Sequence, residues 1–103
     1  MSVIRIWSTQ VDPERLDEYL RFAHTISLPM FREQRGFLGV LFAGDGGRQI
    51  VISFWSDLDA VATLASSSSY SHTVQAIEAT GFLRGSSHVE VFAFEGGLPP
   101  AGI

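Results

Sequence analysis

Apolar and polar side chains alternate in the first segment of the chain, residues 2–10. One set of alternating positions holds Val3, Arg5 and Trp7, and the other holds Ile4, Ile6 and Ser8. This two-residue period, rich in β-branched and aromatic side chains, predicts a β-strand. Asp12 then offers an N-cap and Pro13 suits the first position of a helix. The pattern therefore predicts a strand that leads directly into a helix.

The first predicted helix carries an apolar stripe with the 3.6-residue period of an α-helix. Its members are Leu16, Tyr19, Leu20, Ala23, Ile26, Ser27 and Met30. Pro29 lies inside this stripe, where its ring removes a backbone donor and clashes with the preceding turn. We therefore expect the helix to kink or restart near Leu28 and to stop at Gly36.

Two β-rich runs follow, residues 37–43 and Arg48–Trp55, and they are joined by Gly44-Asp45-Gly46-Gly47. Asp-Gly between such runs is a strong hairpin signal, so the two strands are predicted to be antiparallel neighbours. Ser56 and Asp59 then have the spacing of a capping box, which predicts the start of a second helix.

The second helical region is interrupted by four serines at residues 66–69. Because serine is a poor helix former and a good N-cap, these residues predict a break between two helical pieces rather than a functional serine cluster. Residues 88–95 are predicted to form the fourth strand. Residues 1–95 are thus expected to be a single domain, followed by a Gly/Pro-rich tail at residues 96–103.

The order of these elements predicts an α+β fold, a ferredoxin-like βαββαβ chain with a four-stranded antiparallel sheet. Right-handed crossovers place both helical regions on one face of such a sheet. The third strand nevertheless carries apolar side chains on both faces, with Ile50, Ile52 and Phe54 opposite Val51 and Trp55. We therefore expect a homodimer in which a second copy covers the remaining sheet face.

The composition excludes several kinds of chemistry. The chain has no cysteine, lysine or asparagine, which excludes disulfides, thiolate nucleophiles and lysine Schiff bases. Its net charge is -4 and its seven basic residues, all arginines, are dispersed, so no nucleic-acid partner is expected. The three histidines lack the spacing of a metal site, and no metal is expected.

No membrane association is expected from the sequence. The longest nearly apolar stretch, residues 37–44, is much shorter than the about 20 residues that a helix needs to cross a bilayer. The first residues lead into a strand pattern without the features of a secretory signal, so a cytoplasmic location is expected.

Two motifs resemble those of the antibiotic biosynthesis monooxygenase superfamily, whose members are dimeric α+β barrels. The first is Arg35-Gly36-Phe37-Leu38-Gly39, which is similar to the family's entry into strand two. The second is the segment Ile52-Ser53-Phe54-Trp55-Ser56-Asp57-Leu58-Asp59-Ala60, which is similar to the end of its strand three. Together with element order and length, the resemblance covers nearly the whole chain and implies the fold more than the reaction.

The resemblance also implies where active-site residues would lie. In the cofactor-free, quinone-forming members, an Asn four residues before the strand-three Trp and an Arg on the second helix bind and activate the substrate. Here Trp55 is kept, but those two positions align with Val51 and Gln75. In the heme-degrading branch, a Trp and an iron-ligating His on the second helix align with Leu64 and Val74, so His72 would have to act as the ligand.

These considerations select candidate site residues. His24 and His72 are the candidate catalytic bases, because a histidine can deprotonate a phenolic substrate so that its carbanion reacts with oxygen. The candidate substrate-binding residues are the aromatics Trp7, Phe31, Trp55 and Tyr70, which are suited to hold a planar ligand.

The leading hypothesis is a cofactor-independent monooxygenase that acts on a small aromatic or polyketide-like compound, and no cofactor is expected. One alternative is a non-catalytic small-molecule-binding or stress-associated dimer. A further alternative is a heme-binding or heme-degrading protein.

Overall fold

The computed structural model describes residues 1–98, which form one sheet with helices packed on one of its faces. The strands are β1 (Val3–Val11), β2 (Phe37–Asp45), β3 (Arg48–Trp55) and β4 (Leu83–Ala93). The α-helices are α1 (Leu16–Phe22), α2 (Leu28–Arg32), α3 (Leu58–Ser66) and α4 (Ser68–Ala79). A 3-10 turn (Pro13–Arg15) precedes α1, and a π-helical segment (Ala23–Ser27) joins α1 to α2. The α+β fold expected from the sequence is confirmed.

The four strands are antiparallel and lie in the order β2-β3-β1-β4. In the middle of the sheet, Val3 of β1 lies between Trp55 of β3 and Ala93 of β4. A hairpin joins β2 to β3 as predicted, but its turn is only Gly46-Gly47, because β2 continues to Asp45, which pairs with Arg48. The last five residues of the predicted tail lie outside the described part of the chain.

The helical region between β1 and β2 changes its winding just before Pro29. Asp12 caps the 3-10 turn by accepting a hydrogen bond from the Glu14 amide at 3.0 Å. After α1 the chain winds as a π-helix over Ala23–Ser27, and the α-helix resumes at Leu28. The predicted restart near Leu28 is therefore confirmed, and the π-helical segment avoids the clash that Pro29 would make in a continuous α-helix.

The segment that follows α2 turns sharply at Gly36, whose φ is 78°. A Cβ built at this position would lie 2.5 Å from the Cβ of Ala60, so a larger residue has no room. The Gly36 carbonyl also accepts a hydrogen bond from the Ser56 amide at 2.8 Å. The glycine in the first family-like motif thus allows the β2 entry to approach the start of α3.

The second helical region begins and breaks through side-chain caps. The N-cap of α3 is Asp57, which accepts a hydrogen bond from the Ala60 amide at 2.8 Å, so the predicted capping box at Ser56 was wrong by one residue. Ser67 accepts a hydrogen bond from the Tyr70 amide and begins α4. The predicted serine break is therefore confirmed.

Strand β4 is longer than the sequence pattern indicated. It begins at Leu83, whereas residues 88–95 were predicted. The missed part contains Gly85, Ser86 and Ser87, which are poor strand formers by themselves. Pairing with β1 extends the strand, because Arg84 and Leu83 lie opposite Gln10 and Val11 beyond a register shift.

The helices cover one face of the sheet, and the core lies between the two layers. Its larger cluster consists of Val3, Met30, Phe31, Val51, Trp55, Ala60 and Leu64. A second cluster under the start of α1 consists of Val11, Tyr19, Phe22, Ile77 and Phe82. We call the opposite face, which carries Ile4, Ile6, Leu41, Ile50, Ile52, Phe54 and Phe92, the open face. No helix within residues 1–98 is long and apolar enough to span a membrane.

Candidate ligand-binding cavity

A cavity of about 320 Å³ opens between the two helical regions and the covered face of the sheet. All four strands contribute to its floor, and α1, the π-helical segment, α2 and α4 supply its walls. The side chains that line it are mostly apolar, and five are aromatic: Trp7, Tyr19, Phe31, Phe42 and Tyr70. Its size and lining are those of a small-molecule site.

One charged side chain is buried in this cavity. Arg5 of β1 points towards the helices, as its neighbours Val3 and Trp7 do, and only 6% of the residue is exposed. Its Nη2 donates a hydrogen bond to the Tyr70 hydroxyl at 2.7 Å. The guanidinium carbon also lies 5.4 Å from the centre of the Tyr70 ring, which adds a cation–π contact.

No carboxylate among the described residues neutralises Arg5. The salt bridges found in residues 1–98 join Arg15 to Glu18 and Arg84 to Asp12, both at the surface. Glu78 of α4 also lines the cavity, but it is exposed and forms no ion pair with Arg5. The buried part of the cavity therefore carries a net positive charge.

A second polar group in the lining lacks a partner. Tyr19 is 1% exposed, and its hydroxyl makes no hydrogen bond within residues 1–98. Burial raises the pKa of Tyr19 to about 12, because the charged phenolate loses its hydration. Tyr19 is therefore a neutral donor at physiological pH, and a ligand in the cavity would supply the missing acceptor.

The predicted aromatic residues occupy two kinds of position. Trp7, Phe31 and Tyr70 line the cavity, whereas Trp55 does not. Trp55 is fully buried, and its indole Nε1 donates a hydrogen bond to the Ser53 hydroxyl at 2.8 Å. It packs edge-on against Phe31, so it lies behind the lining. The substrate-binding role of these four residues remains a prediction.

The two candidate bases lie outside the lining. His24 is exposed on the π-helical segment, and its ring packs edge-on against Phe42 with 5.3 Å between ring centres. Phe42 itself lines the cavity, so His24 is one side chain away from it. His72 is exposed on α4. Neither position supports a heme ligand inside the cavity, and the catalytic role of both residues remains a prediction.

The structure also shows where the four positions lie that align with the superfamily's functional residues. Val51 is buried and lines the cavity, and Val74 lines it from α4. Gln75 is exposed and Leu64 lies in the core. Two of the four aligned positions, 51 and 74, thus lie in the cavity lining, and an apolar side chain occupies the position of the family's Asn.

Two cavity residues, Arg5 and Tyr19, were missed as site residues by sequence reasoning. A signal for Arg5 was present, because it shares the alternating set of Val3 and Trp7 and thus brings a charge to a covered face. Tyr19 gave no signal of its own, since a tyrosine in an apolar helical stripe is usually a core residue. Residues 1–98 contain no group of three or more acidic, histidine or cysteine side chains arranged to hold a metal ion.

Solved structures share this fold. A monooxygenase from the gene ActVA-Orf6 of Streptomyces coelicolor, in complex with nanaomycin D, superposes with a TM-score of 0.82 at 17% sequence identity, over 97% of this chain and 93% of that one. SnoaB, a cofactor-independent oxygenase from Streptomyces nogalater, has a TM-score of 0.72 at 19% identity, over 96% and 98% of the two chains.

A third structure, described as an antibiotic biosynthesis monooxygenase, has a TM-score of 0.72 at 19% identity, over 94% of this chain and 99% of that one. No protein-family model matches the sequence, and no curated protein is significantly similar to it. At these identities the likeness concerns the fold. The chain therefore has the ferredoxin-like fold of the antibiotic biosynthesis monooxygenases, as the two sequence motifs implied.

Proposed function

We propose that the protein is a cofactor-independent monooxygenase that acts on a small aromatic or polyketide-like compound. The observation that carries this proposal is the aromatic-lined cavity of about 320 Å³, in a fold shared with structures described as cofactor-independent oxygenases. A planar substrate fits the flat surfaces of Trp7, Phe31 and Tyr70, since stacking and apolar contact favour such ligands.

The proposed reaction starts with removal of a proton from the substrate. His24 or His72 would accept this proton through intervening water, because neither side chain lines the cavity. The resulting carbanion donates electrons to O2; one oxygen atom enters the substrate and the other leaves as water. For anthrone this converts a CH2 group and O2 into the carbonyl of anthraquinone and one water molecule, and all four electrons that reduce O2 come from the substrate itself.

Oxygen consumption tests this proposal. We expect the purified protein, without added metal or flavin, to consume O2 with anthrone or a dihydroxynaphthalene. Replacement of the true base, in His24→Gln or His72→Gln, should lower the rate about 10²- to 10⁴-fold, and the other variant serves as the matched control. No consumption above the uncatalysed rate across these substrates would contradict the proposal.

The second candidate is a small-molecule-binding protein without catalysis. It is favoured by Val51 and Gln75, which replace the family's activating residues, and by the absence of either histidine from the cavity lining within residues 1–98. This function predicts that aromatic ligands raise the melting temperature without product formation. Oxygen uptake together with product would exclude it.

We also propose that the protein is a homodimer joined through the open face. Ile4, Ile6 and Ile52 are only half-buried there, and Leu41 and Phe92 are 43% and 48% exposed. These apolar side chains, with Glu90 and His88 of β4 beside them, are stabilised when a second copy excludes water from them. Sedimentation equilibrium at micromolar concentration should give twice the chain mass of 11.3 kDa, and a stable monomer would contradict the proposal.

A further inference from the structure

The Arg5 side chain carries a charge and is nevertheless buried, which is unusual. A buried charge is normally neutralised by an opposite charge, because desolvation strongly disfavours an unpaired ion. Arginine cannot avoid this cost by losing its proton at physiological pH. Within residues 1–98, its guanidinium makes a side-chain hydrogen bond only to the neutral Tyr70 hydroxyl. The free protein thus holds a positive charge ready for a negative partner.

The surroundings of Arg5 define what that partner must look like. The guanidinium has five N–H donors in a planar fork, and one is used by Tyr70. The buried Tyr19 hydroxyl, which also lacks a partner, lines the same cavity. Most of the remaining wall is apolar, with Trp7 and Phe31 among its flat surfaces. A matching ligand is apolar and planar over most of its area and has an oxygen anion at one end.

We propose that the cavity binds an aromatic carboxylate and that Arg5 is the residue that recognises the carboxylate group. This inference rests on the proposed function in taking the cavity as the substrate site, and it names the substrate class. A carboxylate suits Arg5 because its two oxygens match the spacing of the guanidinium fork. Tyr70 is a positioning residue, since it holds the guanidinium through one hydrogen bond and a ring contact.

Glu78 does not cancel this preference. Its carboxylate is on the cavity lining but exposed to water, where its interaction with a ligand is screened. Arg5 acts from the buried interior, where water competes less for its donors. The two residues therefore provide an internal comparison between a buried and an exposed charge at one site.

Isothermal titration with a matched pair of probes tests the proposal. The probes are 2-naphthoate, which is charged at pH 7.5, and 2-naphthamide, which has nearly the same shape without charge. The wild-type protein should bind 2-naphthoate about 10- to 100-fold more tightly, as expected for charge-assisted hydrogen bonds. Arg5→Met should bring the two affinities within about threefold of each other while leaving the affinity for 2-naphthamide nearly unchanged.

Two further variants keep the test decisive. Glu78→Gln should keep the preference for 2-naphthoate. Arg5→Gln, which stays polar but removes the positive charge and the planar fork, should also lose most of the preference, and it replaces Arg5→Met if that variant does not fold. Equal binding of both probes by the wild type, no binding of 2-naphthoate at millimolar concentration, or an unchanged preference in the folded Arg5 variant would overturn the inference.

The measurement is made without oxygen and without turnover. Its result is therefore independent of whether the protein is a monooxygenase. Carboxylate preference without oxygen uptake would support this inference and count against the proposed reaction, whereas oxygen uptake with no Arg5-dependent preference would do the reverse.

Discussion

The covered face of the sheet buries the apolar core together with a few polar side chains, whereas the open face, which also carries Glu90 and His88, is half-buried or exposed throughout. The covered face buries four polar or charged side chains, Arg5, Thr9, Gln49 and Ser53. The open face leaves large apolar side chains in contact with solvent, with Leu41 and Phe92 the most exposed of them. The buried polar groups are what the proposed ligand site on the covered face would use, and the exposed apolar groups are what the proposed dimer on the open face would cover.

On the covered face, the buried polar side chains differ in whether their hydrogen-bonding groups and charges have partners. Ser53 accepts from Trp55, Gln49 donates to the Gly46 carbonyl, and Thr9 pairs with Ser87. Arg5 and Tyr19 are different. Within residues 1–98 Arg5 has no carboxylate to neutralise its charge, and the Tyr19 hydroxyl has no hydrogen-bond partner. Both line the cavity, where a ligand can complete their interactions.

The largest effect is expected from placing a charge on the open face. Ile52 lies opposite Ile6 and Leu41 in the middle of this face. In Ile52→Glu, association would bury an unpaired carboxylate, which costs several kcal/mol. We expect the dimer dissociation constant to rise more than about 100-fold, as measured by sedimentation equilibrium.

Ala62→Glu is the control for this variant, because Ala62 is exposed on α3 and far from the open face in the fold. It should leave the dimer unchanged. If Ile52→Glu associates as tightly as the wild type, the open face is not the interface.

A smaller effect is expected from ionisation of Tyr19 on the covered side. Its pKa is about 12 in the folded protein and about 10 when unfolded. Between these values the unfolded state has already lost the proton that the folded state keeps, so the free energy of unfolding falls as pH rises. The loss reaches about 2 kcal/mol at pH 12.

Urea unfolding at pH 9 to 12 measures this loss, and Tyr19→Phe is the control because it lacks the ionising group. The absence of lysine leaves the tyrosines as the main side chains that titrate in this range. Equal losses in the wild type and in Tyr19→Phe would show that Tyr19 is not buried as described.

The smallest effect concerns the hydrogen bond behind the cavity lining. Ser53→Ala leaves the indole donor of the fully buried Trp55 without its acceptor, which should cost about 1–3 kcal/mol in the free energy of unfolding. In the Trp55→Phe background the same serine substitution should cost much less, because the unsatisfied donor is gone. A double-mutant cycle with urea unfolding measures this coupling, and additive costs would contradict it.

The strands and helices with strong periodic patterns were predictable. The alternation in β1, the Asp-Gly hairpin and the serine break all rest on interactions between residues close in sequence. The start of β4 was not predictable, because Gly85, Ser86 and Ser87 join the sheet through pairing with β1, a distant segment. The one-residue error at the α3 cap has a similar cause, since Gly36 holds the Ser56 amide.

The site was predictable in part. Aromatic residues were chosen for their type, and Trp7, Phe31 and Tyr70 line the cavity whereas Trp55 lies behind it. Sequence spacing does not distinguish these positions, because the difference depends on how the helices sit over the sheet. Sequence spacing likewise did not show whether His24 and His72 face the cavity, because it gives the direction of a helical side chain only approximately.

The sequence alone determined the order of elements, the two apolar sheet faces and the classes of chemistry that its composition excludes. These properties follow from local periodicity and residue type. Only the tertiary structure decided that Arg5, from the first strand, meets Tyr70 from the last helix, and that Tyr19 completes the same cavity without a partner. These contacts join segments that are far apart in sequence. They depend on strand pairing and on packing between layers, which a local sequence pattern does not specify.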